Sequence, residues 1–371
     1  MSSATGSAVQ DSGQPQASRT RTSKAFAAAS ATSKLAPHSI QRRAPGPRDV
    51  QIEISHCGVC HSDLHQVRNE WESAMPTVYP CVPGHEIVGK VSAVGREVRG
   101  FKVGDTAAVG CMVDSDRTCA SCRAGEEQYC ESMPTFTYNF PDKHLGGVTF
   151  GGYSESLVVD EAYTLRVPDR LDPAGTAPLL CAGITTYSPL RQWDCHEGDR
   201  VAVVGLGGLG HLAVKMAVSM GAEVTVFSTS RSKAADARRL GAREFELTKD
   251  KTSFPRRAGR FHLVIDTVAG PHDYEPYLAL LRPRGTLVVL GFPARSASMA
   301  PPSLASGSER VAGSAFRGIS ETQEMLDYCA ERGIVSDVEV IPIQEINEAY
   351  ERVLEGNVRY RFVIDLKSLE G

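Results

Sequence analysis

No apolar run in the chain approaches the roughly 20 residues that a membrane-spanning helix needs, so no span is expected. Charge of one sign is also missing. The formal net charge is -4 over 371 residues, too small to draw the protein to nucleic acid or an anionic membrane. A secretory signal is absent too: Met1 to about Ser23 lacks the charged start and apolar core such a signal carries. That stretch is acid-poor, with a faint likeness to an organelle transit peptide, but its Ser, Ala, Gln, Thr and Gly read as a disordered tail over 1–23. What remains is ordinary for a globular protein, at 42% hydrophobic and 23% charged residues, and long enough for two domains. A soluble, cytoplasmic protein with a small-molecule partner is expected. Ten cysteines without a secretory signal point to metal binding or buried thiols before disulfides.

The fold class reads as α/β in two textures. From Val50 to Val167 short strands are broken by Gly and Pro: Val50–Ile54 alternates with period two, and Ile87–Val91 and Gly152–Val159 are strand-like. From about Thr176 strands alternate with helices. Val201–Val204, Glu223–Phe227, Phe261–Asp266 and Gly285–Leu290 are buried strands, with helical spacing at Leu212, Ala213, Met216, Ala217 and Met220 and again over Arg231–Leu240. This is the pattern of a doubly wound parallel sheet. The expected arrangement is a β-rich domain, 24–175 and 316–371, interrupted by a dinucleotide-binding domain at 176–315.

Gly205-Leu206-Gly207-Gly208-Leu209-Gly210 follows a strand and opens a helix, the context that gives this motif meaning. The first glycine permits the turn, the second lets backbone approach a pyrophosphate, and the third lets helix pack on sheet. The helix N-terminus favours the phosphate charge. An NAD site carries an acid at the end of the next strand. Here that position runs Ser228-Thr229-Ser230-Arg231-Ser232-Lys233, hydroxyls and cations without an acid, which suits a 2′-phosphate and hence NADP(H). His61 and His211 are further candidates to approach the phosphates.

Two cysteine constellations stand out. Cys60, His85 and the distant Cys181 can form a three-ligand zinc site with its fourth position open. His85-Glu86 does not begin a metalloprotease helix, since position 89 is Gly. Cys57 and Cys60 lack the thioredoxin-like surroundings of a redox pair. In the second constellation, Asp116, Cys119, Cys122 and Cys130, three thiolates crowd one loop and Asp116 stands where a closed structural site wants a fourth. Coordination by three thiolates and one carboxylate is expected, with a weakened or empty site as the alternative. Cys81, Cys111, Cys195 and Cys329 read as inert buried thiols.

Together these residues resemble the zinc-containing medium-chain dehydrogenases, specifically the cinnamyl alcohol dehydrogenase group and its microbial broad-range aldehyde reductases. The likeness runs from about Lys24 to Leu366. It rests on Gly58–His65, Pro83–Glu86, the cysteine cluster, Thr137-Tyr138-Asn139, Leu179–Thr185, the glycine turn and Glu321–Leu326. It implies a GroES-like catalytic domain and a Rossmann cofactor domain with the active site between them, and it allows a homodimer through the cofactor domain. It implies that Cys60, His85 and Cys181 hold catalytic zinc, with Glu86 exchanging with water or substrate and Asp63 orienting a liganding His. Thr185 would lie beside the nicotinamide, and Leu290-Gly291-Phe292 and Ser314-Ala315-Phe316 would offer it backbone contacts. The departure from the family pattern is Asp116, where the family has Cys.

The implied chemistry is hydride transfer between NADP(H) and an alcohol/aldehyde pair, with zinc as Lewis acid. Ser62 is placed to pass the product's proton through the cofactor ribose to His65, imidazole being the side chain that titrates near neutral pH. Trp71 and Tyr138 are candidate walls of the substrate pocket. A zinc-free quinone reductase of the same fold would lack Cys60, His85 and Cys181. A catalytically silent NADPH-binding protein is the alternative from another class.

Overall fold

The computed structural model describes residues 20–250, 252–291, 301–307 and 309–370. Two sheets organise it. The first has seven strands on a path from Val338–Pro342 and Arg361–Asp365, through Asp49–Gly58 and Ile87–Val94, to Thr106–Val109 and Leu165–Arg166, with Ser156–Asp160 also paired to Asp49–Gly58. The expected strands at 50–54 and 87–91 lie within these elements. Alternation gives Asp49–Gly58 a buried face of Val50, Ile52 and Ile54, which packs with Leu64, Ile87, Tyr153, Phe362 and Ile364 in one apolar core.

The second sheet has six strands: Glu244–Leu247, Glu223–Ser228, Arg200–Val204, Phe261–Asp266, Leu281–Val289 and Arg310–Gly313, in that spatial order. Every neighbouring pair is parallel, and the order reverses beside Arg200–Val204, the first strand. In a doubly wound sheet that reversal opens a crevice at the strands' carboxyl ends. Val201–Val204 are all buried, as a strand covered by helices on both faces requires.

Two expectations shift at the boundaries. The sequence places Thr20–Ser23 in a disordered tail, but Thr20–Ala27 is a strand paired antiparallel to Ala36–Arg43. Its first residues are polar and exposed, so they carry no apolar signal. Backbone pairing and the buried Ser23, whose hydroxyl lies 3.4 Å from that of Ser156, hold them. Residues 1–19 of the expected tail, and Phe292, lie outside the described residues. The helix Ile319–Arg332 lies beyond the expected end of the cofactor domain at 315. Its buried Met325, Leu326 and Cys329 share one apolar core with the helix Ala182–Gln192 and the strands Arg200–Val204 and Glu223–Ser228.

Candidate active site

Cys60 lies two residues past the strand Asp49–Gly58 and caps the short helix His61–Val67. Asp63, in the first turn of that helix, is fully buried. Its carboxylate accepts from the Cys60 N–H at 3.0 Å, the Gly84 N–H at 3.0 Å and the His85 Nδ1–H at 3.0 Å. One carboxylate thus fixes three parts of the site. A proton on Nδ1 leaves the Nε2 lone pair of a neutral His85 available to a metal.

Ligand atoms of Cys60, His85, Glu86 and Cys181 all lie within 4.8 Å of one another. The Cys60 and Cys181 sulfurs are 4.0 Å apart. The Cys181 hydrogen bond holds the Cys60 thiol well below its ordinary range against the opposing effect of burial. Contact with Cys111, then with Cys60, pushes Cys181 well up. Cys111, expected to be inert, is therefore a neighbour of this cluster. Glu86 is fully buried, and Gly58 makes the room: a Cβ there would meet Glu86 Oε2 at 1.8 Å. Glu86 Oε1 pairs with the buried Arg361 guanidinium, while Oε2 has no hydrogen-bond partner among the described residues. Burial pushes the Glu86 carboxyl up to about 7, with Arg361 pulling the other way. Two thiols, one imidazole and a buried, half-satisfied carboxylate are a donor set that fits zinc.

Ser62 and His65 lie three residues apart on the helix His61–Val67, both half-buried. His65 Nδ1 meets Glu70 Oε2 at 2.5 Å, and the His65 ring lies 5.4 Å from Trp71. The half-buried Tyr138 has its ring 5.9 Å from that of His85.

On the cofactor side, Gly205 has φ +86°, and a Cβ on Gly210 would meet the Gly205 carbonyl oxygen at 2.1 Å. Both positions need glycine for backbone reasons. Gly207 has open space where a Cβ would be, and a Cβ on Gly208 would meet Arg361 at 2.8 Å. This open cradle, at the start of the helix Gly210–Ser219, fits a pyrophosphate. Leu206 is buried and Leu209 half-buried. Ser228 is buried, Thr229 and Ser230 are exposed, and Lys233 is half-buried with its Nζ 4.9 Å from the Tyr360 ring centroid. Thr185 donates its N–H to the Cys181 carbonyl at 3.0 Å, so a cofactor candidate sits one turn from a metal candidate. Leu290 is buried, Gly291 lies against the Val268 carbonyl, and the buried Ser314 hydroxyl has no hydrogen-bond partner among the described residues. Ala315 and Phe316 are half-buried, and Phe316 packs on both major cores.

His211 has both ring nitrogens engaged within the protein. It is buried and stacks on Tyr360 at 4.8 Å; Nδ1 donates to the Gly207 carbonyl at 3.1 Å, and Nε2 accepts the Asp337 N–H at 3.3 Å. Sequence reasoning missed Arg361, Tyr360 and Glu70. The one available signal was an arginine heading the apolar strand Arg361–Asp365.

The second cluster also comes together, with ligand atoms of Asp116, Cys119, Cys122 and Cys130 within 4.8 Å of one another. Asp116 Oδ1 accepts from the N–H groups of Thr118 at 2.8 Å and Cys119 at 2.9 Å. The Cys119 and Thr118 N–H bonds hold its carboxyl well below the usual range, so it is available as an anion.

Comparison with known proteins bears on this geometry. Residues 46–169 match the model of the alcohol dehydrogenase GroES-like domain, and residues 208–331 that of zinc-binding dehydrogenases. The chain belongs to the zinc-binding alcohol dehydrogenase family. The dehydrogenase is 51% identical to aldehyde reductase YahK of Escherichia coli, over 93% of its own length and 99% of the relative's. It is 52% identical to NADP-dependent alcohol dehydrogenase C of Mycobacterium tuberculosis, with 93% and 99% covered. It superimposes on a cinnamyl alcohol dehydrogenase from Sorghum bicolor with a TM-score of 0.90 at 44% identity, covering 94% of this chain and 98% of the other. The dehydrogenase is therefore an oxidoreductase with a GroES-like domain and a Rossmann domain, as the sequence implies. Among the described residues no helix is long and apolar enough to cross a membrane.

Proposed function

We propose that the enzyme reduces aromatic and aliphatic aldehydes to primary alcohols with NADPH, and runs the reverse reaction with NADP⁺. The observation that carries this reading is Arg361. One buried guanidinium pairs with Glu86 of the metal donor set and packs against Gly208 of the open glycine turn, so the two halves of a hydride-transfer site adjoin. The names of the relatives, an aldehyde reductase and an NADP-dependent alcohol dehydrogenase, support the substrate class and cofactor.

Cys60, His85 and Cys181 would hold the catalytic zinc, with Glu86 as exchanging ligand. Asp116, Cys119, Cys122 and Cys130 would hold the structural one. When bound, zinc supplies Lewis acidity toward a carbonyl oxygen and NADPH supplies the hydride. The protein's part is positioning and proton movement. Asp63 fixes the His85 ring and the Cys60 backbone. Ser62 Oγ would give the product oxygen its proton, and His65, which Glu70 orients through Nδ1, would exchange that proton with solvent. Trp71 and Tyr138 exclude water as apolar walls. When the cofactor is bound, Gly205–Gly210 would take the pyrophosphate, Ser228, Thr229, Ser230 and Lys233 the 2′-phosphate, and Thr185, Leu290, Gly291 and Ser314–Phe316 would hold the nicotinamide. A cytoplasmic location belongs to the same reading. None of the ten cysteines is in a disulfide, which suits a reducing compartment. So does a homodimer through the cofactor domain, where Arg310–Gly313 is an edge strand.

The test is a panel including benzaldehyde and cinnamaldehyde, assayed with both nicotinamide cofactors. NADPH oxidation above background on several aldehydes is expected. No turnover of any aldehyde would sink the reading, and a higher kcat/KM with NADH would remove the cofactor assignment.

A further inference from the structure

Lys233 is the cation expected to meet the 2′-phosphate, yet an acid lies close by in sequence. Asp236 is three residues on, in the first turn of the helix Ala234–Arg239. Side chains at that spacing on a helical turn are neighbours and pair readily when oppositely charged. A free Asp236 would therefore both capture Lys233 and repel a phosphate. In the structure it does not capture Lys233. Lys233 forms no ion pair among the described residues and lies over the Tyr360 ring instead, with Nζ 4.9 Å from the centroid.

Two cations lie within ion-pair distance of Asp236, although its buried Oδ2 has no hydrogen-bond partner among the described residues. Arg239 Nε lies 3.6 Å from Oδ1, and Arg359 Nε lies 3.3 Å from Oδ2. Arg239 is shared: its Nη2 binds Asp337 at 2.6 Å. Arg359 alone brings a charge to Asp236 that has no second carboxylate among the described ion pairs. It comes from the segment leading into the strand Arg361–Asp365, in the other sheet. Its charge is felt at Lys233, as is that of Asp236 in the opposite sense.

Resting on the NADP(H) reading above, we propose that Arg359 is a positioning residue that sets cofactor specificity. It holds Asp236, which leaves Lys233 free for the 2′-phosphate, and it adds positive charge at the adenosine end of the cleft from the opposite domain. The Arg359 side chain is 60% exposed, and an ion pair with so open a partner contributes little to folding. A doubly charged phosphate brought beside Lys233 responds strongly to whether Asp236 is neutralised, since charge-assisted bonds to phosphate are the strong ones.

The experiment is calorimetric binding to the full-length, metal-loaded protein. The probes are adenosine 2′,5′-bisphosphate and adenosine 5′-monophosphate, which differ by the phosphate in question. Arg359→Gln should weaken bisphosphate binding about tenfold, one such factor being about 1.4 kcal/mol, and leave monophosphate binding unchanged. Arg359→Lys should restore most of the loss. Asp236→Asn in the Arg359→Gln background should also restore it, because the acid to be neutralised is gone. In turnover, Arg359→Gln should raise KM for NADPH and leave kcat and the NADH parameters in place. Equal weakening of both probes, or a double variant that stays weak, would overturn the role of Arg359. A wild-type protein that binds both probes equally would instead overturn the NADP(H) reading, and this inference with it.

Discussion

Single residues set how firmly the metal donors are held. Asp63 accepts three hydrogen bonds, from the Cys60 and Gly84 backbones and from His85. An amide in its place turns one acceptor into a donor, so at least one buried N–H faces another. Asp63→Asn should lower zinc affinity about 10- to 100-fold, read by titration against a competing chelator. Cys60→Ala should remove a ligand outright and reduce kcat/KM about a thousandfold or more; full activity in that variant would take the metal out of the reaction. His211 makes a different residue-scale prediction. Burial depresses its pKa to about 3, whereas an exposed imidazole takes up a proton near 6.5. Between these values the unfolded chain binds more protons than the folded one, so stability rises with pH across the window. It falls on acidification below 6.5, with a slope of up to about 1.4 kcal/mol per pH unit. Urea unfolding at a series of pH values should show a shallower slope in His211→Gln than in the wild type.

At the level of elements, what was legible in the sequence was what is local. The glycine turn announces itself because strand, turn and helix are contiguous, and the cysteine cluster because its four ligands span fifteen positions, 116–130. The strand Thr20–Ala27 was hidden, since its polar first residues owe their order to pairing with Ala36–Arg43. His211 looked like a phosphate neighbour because its position beside the turn is visible, whereas Asp337 and Tyr360, which enclose it, are more than a hundred residues away. Arg361 was missed for the same reason, at 275 residues from Glu86. The Asp116 loop carries its own prediction. Its ligands are mostly half-exposed, while those of the Cys60 set are mostly buried, and carboxylate is a harder ligand than thiolate. Chelation should release zinc in two phases, the first from this loop. Asp116→Cys should slow that phase several-fold and leave the second unchanged, as followed with a chromogenic zinc indicator.

For the whole molecule, the question is what keeps the two sheets in one working geometry, beyond the core that Val88, Ala108 and Val363 share with Val201 and Val203. Phe316 packs on both cores, and Arg361 joins Glu86 to the glycine turn. These are different kinds of contact. Apolar packing is non-directional, whereas the buried ion pair specifies which atoms meet, and it does so at the site of chemistry. Burying both charges costs several kcal/mol per ion, so the pair itself adds little net stability, but removing one partner exposes the full cost. Arg361→Met should therefore destabilise the protein by up to about 3–5 kcal/mol, most at pH well above 7, because Glu86, already pushed up to about 7 by burial, then lacks the cation that favours its charged form. Adding Glu86→Gln should recover much of that loss, since the stranded charge is gone. NADPH binding should not recover with it: a guanidinium beside Gly208 is still missing, whatever the stability. Chemical denaturation and cofactor titration on the same three variants separate the two outcomes. Recovery of both together would mean that Arg361 acts only as scaffold; recovery of stability alone would mean that the contact joining the domains is also part of the cofactor site.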